Sequence, residues 1–182
     1  MLSLYDARAM QKVKLPKKVE PFKSAMKRSD YEGVMIGADM ARLSEAVDEV
    51  LDDIAISVRF DTDAQGLTYF AGSLKTKVAL ICQRCNESFV HVVNTHFCFC
   101  PVTNADDMDE IPEDYEPVEV DEYGEVHLLN LFEDEVILSL PIVPMHSPED
   151  CKIVSDDMSY GEIEQEEEKP NPFSVLKELK RN

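Results

Sequence analysis

Three runs of residues with a strand-like pattern follow one another in the middle of the chain. They cover residues 54–60, residues 67–82 with a break around Gly72, and residues 88–99, and turn-forming segments separate them. Strands joined by short turns pair in antiparallel fashion. The pattern therefore predicts an antiparallel β-sheet meander, with packed helices, as the centre of an α+β fold.

The turn between the second and third runs contains Cys82-Gln-Arg-Cys85. Two cysteines separated by two residues either bind a metal ion or exchange electrons as a dithiol. A dithiol of the thioredoxin kind lies at the N-terminus of a helix, because this position lowers the pKa of the thiol. The residues after Cys85 have the pattern of a strand, which favours a zinc site on a hairpin over a redox pair.

A second pair of candidate ligands lies in residues 144–151, a segment with a proline at each side of His146. A structural zinc ion needs four protein ligands. Cys82, Cys85, His146 and Cys151 would supply three cysteines and one histidine, so we expect these side chains to converge around one zinc ion. The alternative is that the first two are reduced thiols on the hairpin and that His146 is a solvated loop residue.

The charge is unevenly distributed along the chain. Residues 1–28 carry eight basic residues against Asp6 and Glu20, whereas the formal net charge of the whole chain is −19. An acidic body repels nucleic acid and suits a basic protein partner. The basic residues either contact RNA or another partner or only solvate an exposed surface. The candidates for binding are Lys12, Lys14, Lys17, Lys18, Lys27 and Arg28.

Two helices and an acidic loop are predicted around the meander. From Asp39, as N-cap, the apolar residues follow helical spacing to about Leu51. Residues 104–125 contain eleven acidic residues and no basic residue, which predicts a long, flexible acidic loop. Residues 128–140 are strongly apolar with helical spacing and are followed by Pro141, so we expect a helix that packs across the sheet.

The length indicates one domain, because 182 residues suffice for one core and are short for two. We expect residues 1–9 to be an extension outside the fold, with Met10 as an alternative start of translation. Residues 10–151 should form a single domain. Residues 152–182 should be an acidic, flexible tail with a short amphipathic helix near its end.

Cysteine usage and hydropathy bear on the location of the protein. Five cysteines without a secretory signal argue against a disulfide framework, and no apolar run reaches the length of a membrane span. We therefore expect a cytoplasmic protein without a membrane partner. His96, Cys98 and Cys100 alternate along one strand and are expected to pack rather than bind metal.

Five segments in a fixed order make the chain resemble the YceD family, the large ribosomal RNA subunit accumulation proteins of bacteria. The segments are Met10-Gln-Lys-Val-Lys-Leu-Pro16, Cys82-Gln-Arg-Cys85, Tyr115-Glu-Pro-Val-Glu119, Glu133-Asp-Glu-Val-Ile-Leu-Ser-Leu-Pro141 and Lys169-Pro-Asn-Pro-Phe173. The resemblance covers nearly all of residues 10–182. It departs in one respect, because the family typically has more cysteines after the Leu-x-Leu-Pro segment than this chain has.

The resemblance implies a non-enzymatic ribosome biogenesis factor that supports synthesis, processing or stability of 23S ribosomal RNA. No catalytic set and no glycine-rich phosphate loop is recognisable in the sequence, so we expect no enzyme activity. The acidic surface favours a basic large-subunit ribosomal protein or a pre-ribosomal particle as partner. Direct contact with rRNA through the basic N-terminal region is the second hypothesis, and a CxxC thiol oxidoreductase is the third.

Overall fold

The structure is a computed structural model that describes residues 14–153 and residue 161. The predicted extension at residues 1–9, Lys12 and the predicted C-terminal helix lie outside the described residues. The helices are α1 (Pro21–Met26), α2 (Ala41–Ala46) and α3 (Leu128–Leu138). The strands are β1 (Asp30–Met35), β2 (Glu49–Val50), β3 (Ile54–Thr62), β4 (Thr68–Ile81), β5 (Ser88–Val102) and β6 (Glu116–Glu119), and short 3₁₀ helices lie at Gly37–Asp39 and Ala105–Glu110.

A mixed sheet of six strands forms the body of the fold. Its strand order is β1-β3-β4-β5-β6, and β2 pairs separately with β4. The pairs β3–β4 and β4–β5 are antiparallel, whereas β6 pairs with the end of β5 in parallel. The α+β fold class is confirmed, and the predicted antiparallel meander corresponds to β3, β4 and β5 within a sheet that is mixed as a whole.

β4 is continuous through Gly72, where the sequence predicts a break. Gly72 pairs with Val58 on one side and with Phe97 on the other. A Cβ atom at this position would lie 1.9 Å from the carbonyl oxygen of Ser57 and 2.9 Å from Cζ of Phe97. The prediction of a break is therefore wrong, because the glycine allows neighbouring strands to approach closely rather than ending the strand.

The core lies between one face of the sheet and the helices. Burial alternates strictly along the first seven residues of β3, as expected for a strand with one buried face. Aromatic rings with centroids 4.9 to 5.4 Å apart link β3 to α3 across the sheet. The rings belong to Phe60, Phe70, Phe99, Phe97 and Phe132, all of which are buried. α3 therefore packs across the sheet, as its apolar spacing predicts.

The helix predicted from Asp39 to about Leu51 is shorter in the structure. Asp39 ends a 3₁₀ helix, and α2 begins only after Met40. Val47 has extended backbone angles, and the chain then continues into β2, which pairs with β4. The predicted start and end of the helix are therefore wrong. The helix ends early because residues that still have helical apolar spacing pair with β4 as a strand.

The N-terminus of α2 is capped from α3. The residue before the helix, Met40, makes no side-chain capping bond. The carboxylate of Glu133, which is 5% exposed, accepts a hydrogen bond of 3.0 Å from the backbone N–H of Leu43. Nε of Arg42 also donates to this carboxylate, at 3.1 Å. A tertiary contact thus supplies the cap that the sequence pattern assigns to Asp39.

Two regular elements lie within residues 104–125, where the sequence predicts one long acidic loop. The 3₁₀ helix Ala105–Glu110 comes first, and β6 then extends the sheet beyond β5. The backbone groups of β6 find partners in β5, which the acidic composition of the segment does not reveal. None of the helices in the described part of the chain has the length and apolar character needed to cross a membrane.

Candidate metal centre

The hairpin between β4 and β5 holds the first pair of cysteines. The N–H of Cys82 donates to the carbonyl of Glu87, and the N–H of Asn86 donates to the carbonyl of Cys82, both at 2.8 Å. Asn86 has a φ of 60°, a left-handed conformation that asparagine tolerates. These bonds close the segment into a tight turn, and they bring the sulfur atoms of Cys82 and Cys85 within 4.8 Å of each other.

The segment after α3 lies against this hairpin. The N–H of Gln83 donates to the carbonyl of Pro144 at 2.9 Å, and the N–H of His146 donates to Sγ of Cys82 at 3.4 Å. The ring of His146 lies 4.9 Å from the ring of Phe89, measured between centroids. The hairpin therefore positions His146 through backbone contacts and a ring contact.

Four potential ligand atoms meet between the two segments. Cys82, Cys85, His146 and Cys151 each offer one atom, and these atoms all lie within 4.8 Å of one another. Sγ of Cys85 is 3.2 Å from Nδ1 of His146. Ligand atoms around a tetrahedral zinc ion are about 3.3 to 3.8 Å apart, given metal–ligand bonds of about 2.0 to 2.3 Å. The cluster therefore could hold a metal ion after small adjustments of its side chains.

The protein itself favours one thiolate in this cluster. Burial opposes ionisation of Cys82, but backbone N–H groups of Cys85, His146 and Arg84 donate to its sulfur and lower its pKa to about 5. Burial raises the pKa of Cys85, and the neighbouring thiols of Cys82 and Cys151 add to this effect. Several sulfur atoms in so small a volume ionise together only beside a cation, which is the environment that a metal ion provides.

Sequence reasoning missed two contacts that help to hold the cluster together. Phe89 packs against the ring of His146, and Lys152 forms an ion pair with Glu87 beside Cys151 in the chain. Both contacts join residues that are far apart in the sequence. No motif in the sequence marks them, because they arise only once β5 and the loop after α3 are neighbours.

The cysteines of β5 lie outside this cluster. Cys100 is buried, Cys98 is half-buried and His96 is exposed. Burial raises the pKa of both Cys98 and Cys100 and therefore favours their neutral thiols. This environment agrees with a packing role for the two cysteines.

Most of the basic residues that the sequence marks for partner binding contact acidic side chains of the same chain. Lys27 makes no ion pair within residues 14–153, and Lys12 lies outside the described residues. The ion pairs are Lys14 and Lys17 with Asp39, Lys18 with Asp121 and Glu125, and Arg28 with Asp61. Exposed pairs of this kind are weak, so the binding role of these residues stays a prediction.

Comparison with known proteins places the cluster within a matched region. Residues 70–180 match the family model described as Large ribosomal RNA subunit accumulation protein YceD. The chain is also similar to the Large ribosomal RNA subunit accumulation protein YceD of Haemophilus influenzae. The two are 44% identical over 173 residues, which is 94% of this chain and 99% of the relative. No solved structure matches the chain.

Proposed function

The chain belongs to the YceD family of large ribosomal RNA subunit accumulation proteins, and on this premise we propose that it is a non-enzymatic ribosome biogenesis factor. It supports synthesis, processing or stability of 23S ribosomal RNA in the bacterial cytoplasm. The observation that carries the proposal is the similarity to a large ribosomal RNA subunit accumulation protein along 94% of the chain.

The charge of the molecule supports a basic protein or an assembling particle as the partner. The formal net charge is −19, which disfavours an approach to naked RNA. One exposed concavity is lined by Glu119, Asp121, Glu122 and Glu125 together with Lys18. Nζ of Lys18 lies 2.9 Å from Oδ2 of Asp121. An acidic surface that already binds a lysine of its own chain suits the lysines and arginines of a ribosomal protein.

The alternative functions receive less support from the structure. Direct binding of rRNA through Lys14, Lys17 and Lys18 would have to replace weak ion pairs with carboxylates of the same chain. A thiol oxidoreductase needs an accessible dithiol, yet Cys82 is fully buried and lies in a hairpin rather than at a helix N-terminus.

The cluster of three cysteines and one histidine binds one structural zinc ion in this proposal. All four positions of a tetrahedral ion would be filled by the protein, which is typical of structural rather than catalytic zinc. The ion would fasten residues 144–151 to the β4–β5 hairpin, so that Cys85 and His146 are joined through the metal.

Metal analysis tests the zinc site. Protein purified without chelators should contain about one zinc ion per chain, and Cys85→Ser and Cys151→Ser should each reduce this content strongly. Cys98→Ser is the matched control, because Cys98 lies outside the cluster, and it should keep the metal. Absence of zinc from the unaltered protein, or an unchanged content in both cluster variants, would contradict the site.

A deletion strain tests the function. Loss of the gene should lower 23S rRNA relative to 16S rRNA and reduce free large subunits in sucrose gradients, and a plasmid copy should restore both. The Cys98→Ser variant should restore them as well, as a control for expression. An unchanged rRNA ratio together with an unchanged subunit profile would rule out the proposed function.

A further inference from the structure

The outer edge of β5 is open over residues 88–96. β6 pairs only with residues 99–102, and among the described residues no backbone hydrogen bond reaches the outer side of the earlier part of β5. Cys82 and Glu87 form a hydrogen-bonded pair, so the antiparallel register turns the backbone groups of odd-numbered β5 residues towards β4. The N–H and C=O groups of the even-numbered residues therefore point away from the sheet.

This edge lacks the features with which proteins usually protect an open strand. Lysine, proline and inward-pointing charges are the common protections. Residues 88–96 contain no lysine, arginine, proline, aspartate or glutamate, although about one residue in five of the whole chain is acidic. Val90 and Val92 are 60% and 51% exposed on the face of the sheet opposite the core. Exposed β-branched residues at an open edge favour pairing with another strand.

The segment that runs beside β5 on the core-facing side of the sheet also carries exposed apolar residues. α3 and the segment after it run beside β5 from Phe132 to His146. Within this stretch, the side chains of Leu138, Ile142 and Val143 are 75%, 95% and 50% exposed. The contacts that define the stretch are Phe97 with Phe132, Thr95 with Glu135 and Phe89 with His146. An added strand alternates its side chains between the two faces and would cover apolar residues on both.

Two carboxylates lie close to this edge. Glu135 accepts a hydrogen bond of 3.3 Å from Oγ1 of Thr95, and Glu116 begins β6. Neither forms an ion pair within the part of the chain that the structure describes. Burial raises the pKa of Glu135, and repulsion from Glu116 adds to it. A cationic side chain placed between the two would remove this repulsion.

We propose that the open edge of β5 binds an extended segment of a partner protein as an additional strand. The segment has alternating apolar side chains and a lysine or arginine that contacts Glu135 and Glu116. The inference rests on the proposed function, since a basic large-subunit ribosomal protein has this chemistry. A second copy of the chain would bring no lysine or arginine on residues 88–96, and RNA phosphates would be repelled by the two carboxylates.

The test uses the full chain and overlapping synthetic peptides that cover the large-subunit ribosomal proteins of the same organism. Binding is measured by fluorescence anisotropy for the unaltered protein and for Val92→Pro and Val92→Thr. The N–H of Val92 points away from β4, so proline removes an outward donor and leaves the β4–β5 hydrogen bonds intact. We expect about tenfold weaker binding or more for proline, and less than about threefold for threonine, which keeps the donor.

Two further measurements identify the binding mode. Hydrogen exchange should show that the bound peptide protects the N–H groups of Val90, Val92 and Asn94. Glu135→Gln should weaken binding and reduce its dependence on salt, whereas Glu45→Gln on the exposed face of α2 changes the net charge equally and should do neither. If Val92→Pro lowers the unfolding midpoint of the protein, the Val90→Lys variant is used for the binding test instead. A lysine at an open edge disfavours strand pairing without removing a backbone donor.

Several outcomes would overturn the inference. These are binding of no peptide, equal affinities of the proline and threonine variants, and protection of this edge by an rRNA fragment or by higher concentrations of the protein alone. None of them alters the rRNA ratio in the deletion strain. A failure of the strand-binding site is therefore distinguishable from a failure of the proposed function, which an unchanged rRNA ratio would show.

Discussion

The aromatic core under α3 and the cysteine cluster at the hairpin lie at different ends of β5, and different forces hold them. Phe97 and Phe132 pack in an interior from which water is excluded, and this burial stabilises the fold without any ligand. Residues 144–151 contact the hairpin partly through polar groups, such as the carbonyl of Pro144 and the N–H of His146. From this comparison we predict that the sheet and α3 fold by themselves, and that the zinc ion proposed for the cluster holds residues 144–151 to the hairpin.

The largest effect is expected in the aromatic core. Phe132→Ala should lower the free energy of unfolding by about 3 to 5 kcal/mol, because it removes a fully buried ring and leaves a cavity beside Phe97. Urea unfolding followed by circular dichroism measures this. Leu138→Ala on the same helix is the control, since Leu138 is 75% exposed, and it should stay within about 0.5 kcal/mol. Equal losses for the two variants would show that α3 is not a core helix.

Removal of zinc should have the next largest effect. At a free zinc concentration of about 100 times the dissociation constant, zinc should stabilise the protein by about 3 kcal/mol, and a chelator should remove this gain. Hydrogen exchange should then increase at residues 82–87 and 144–152 and stay unchanged at the centre of β4. The Cys151→Ser variant should show no response to zinc. Increased exchange throughout the sheet would refute the separation of core and loop.

A smaller loss of stability is expected when the buried carboxylate of Glu133 is removed. Glu133→Ala leaves the buried N–H of Leu43 without a partner, which should lower the free energy of unfolding by about 1 to 3 kcal/mol. Asp134→Ala is the matched control, because Asp134 is 48% exposed and pairs with the same Arg42. It should change stability by about 0.5 kcal/mol or less. Thermal and urea unfolding of both variants decide whether the cap or the exposed ion pair stabilises α2.

The strands of the meander and α3 could be predicted from the sequence, because their apolar residues alternate or recur with the period of each element. The ligand set could be proposed for a different reason. Zinc accepts few residue types and needs four of them, so a zinc site at Cys82 and Cys85 requires a second pair of ligands elsewhere in the chain. The predicted helix from Asp39 to about Leu51 is too long, because Glu49 and Val50 pair with β4 as strand β2 instead of continuing the helix.

By itself, the sequence determined the meander, the position of the CxxC pair on a hairpin and the packing of α3, since each depends on residues that are near one another in the chain. Only the tertiary structure decided the capping of α2 by Glu133, the parallel pairing of β6 and the open edge of β5. The physical reason is that hydrogen-bond partners and neighbouring strands are chosen in space. Leu43 and Glu133 are 90 residues apart, and no local pattern records that they meet.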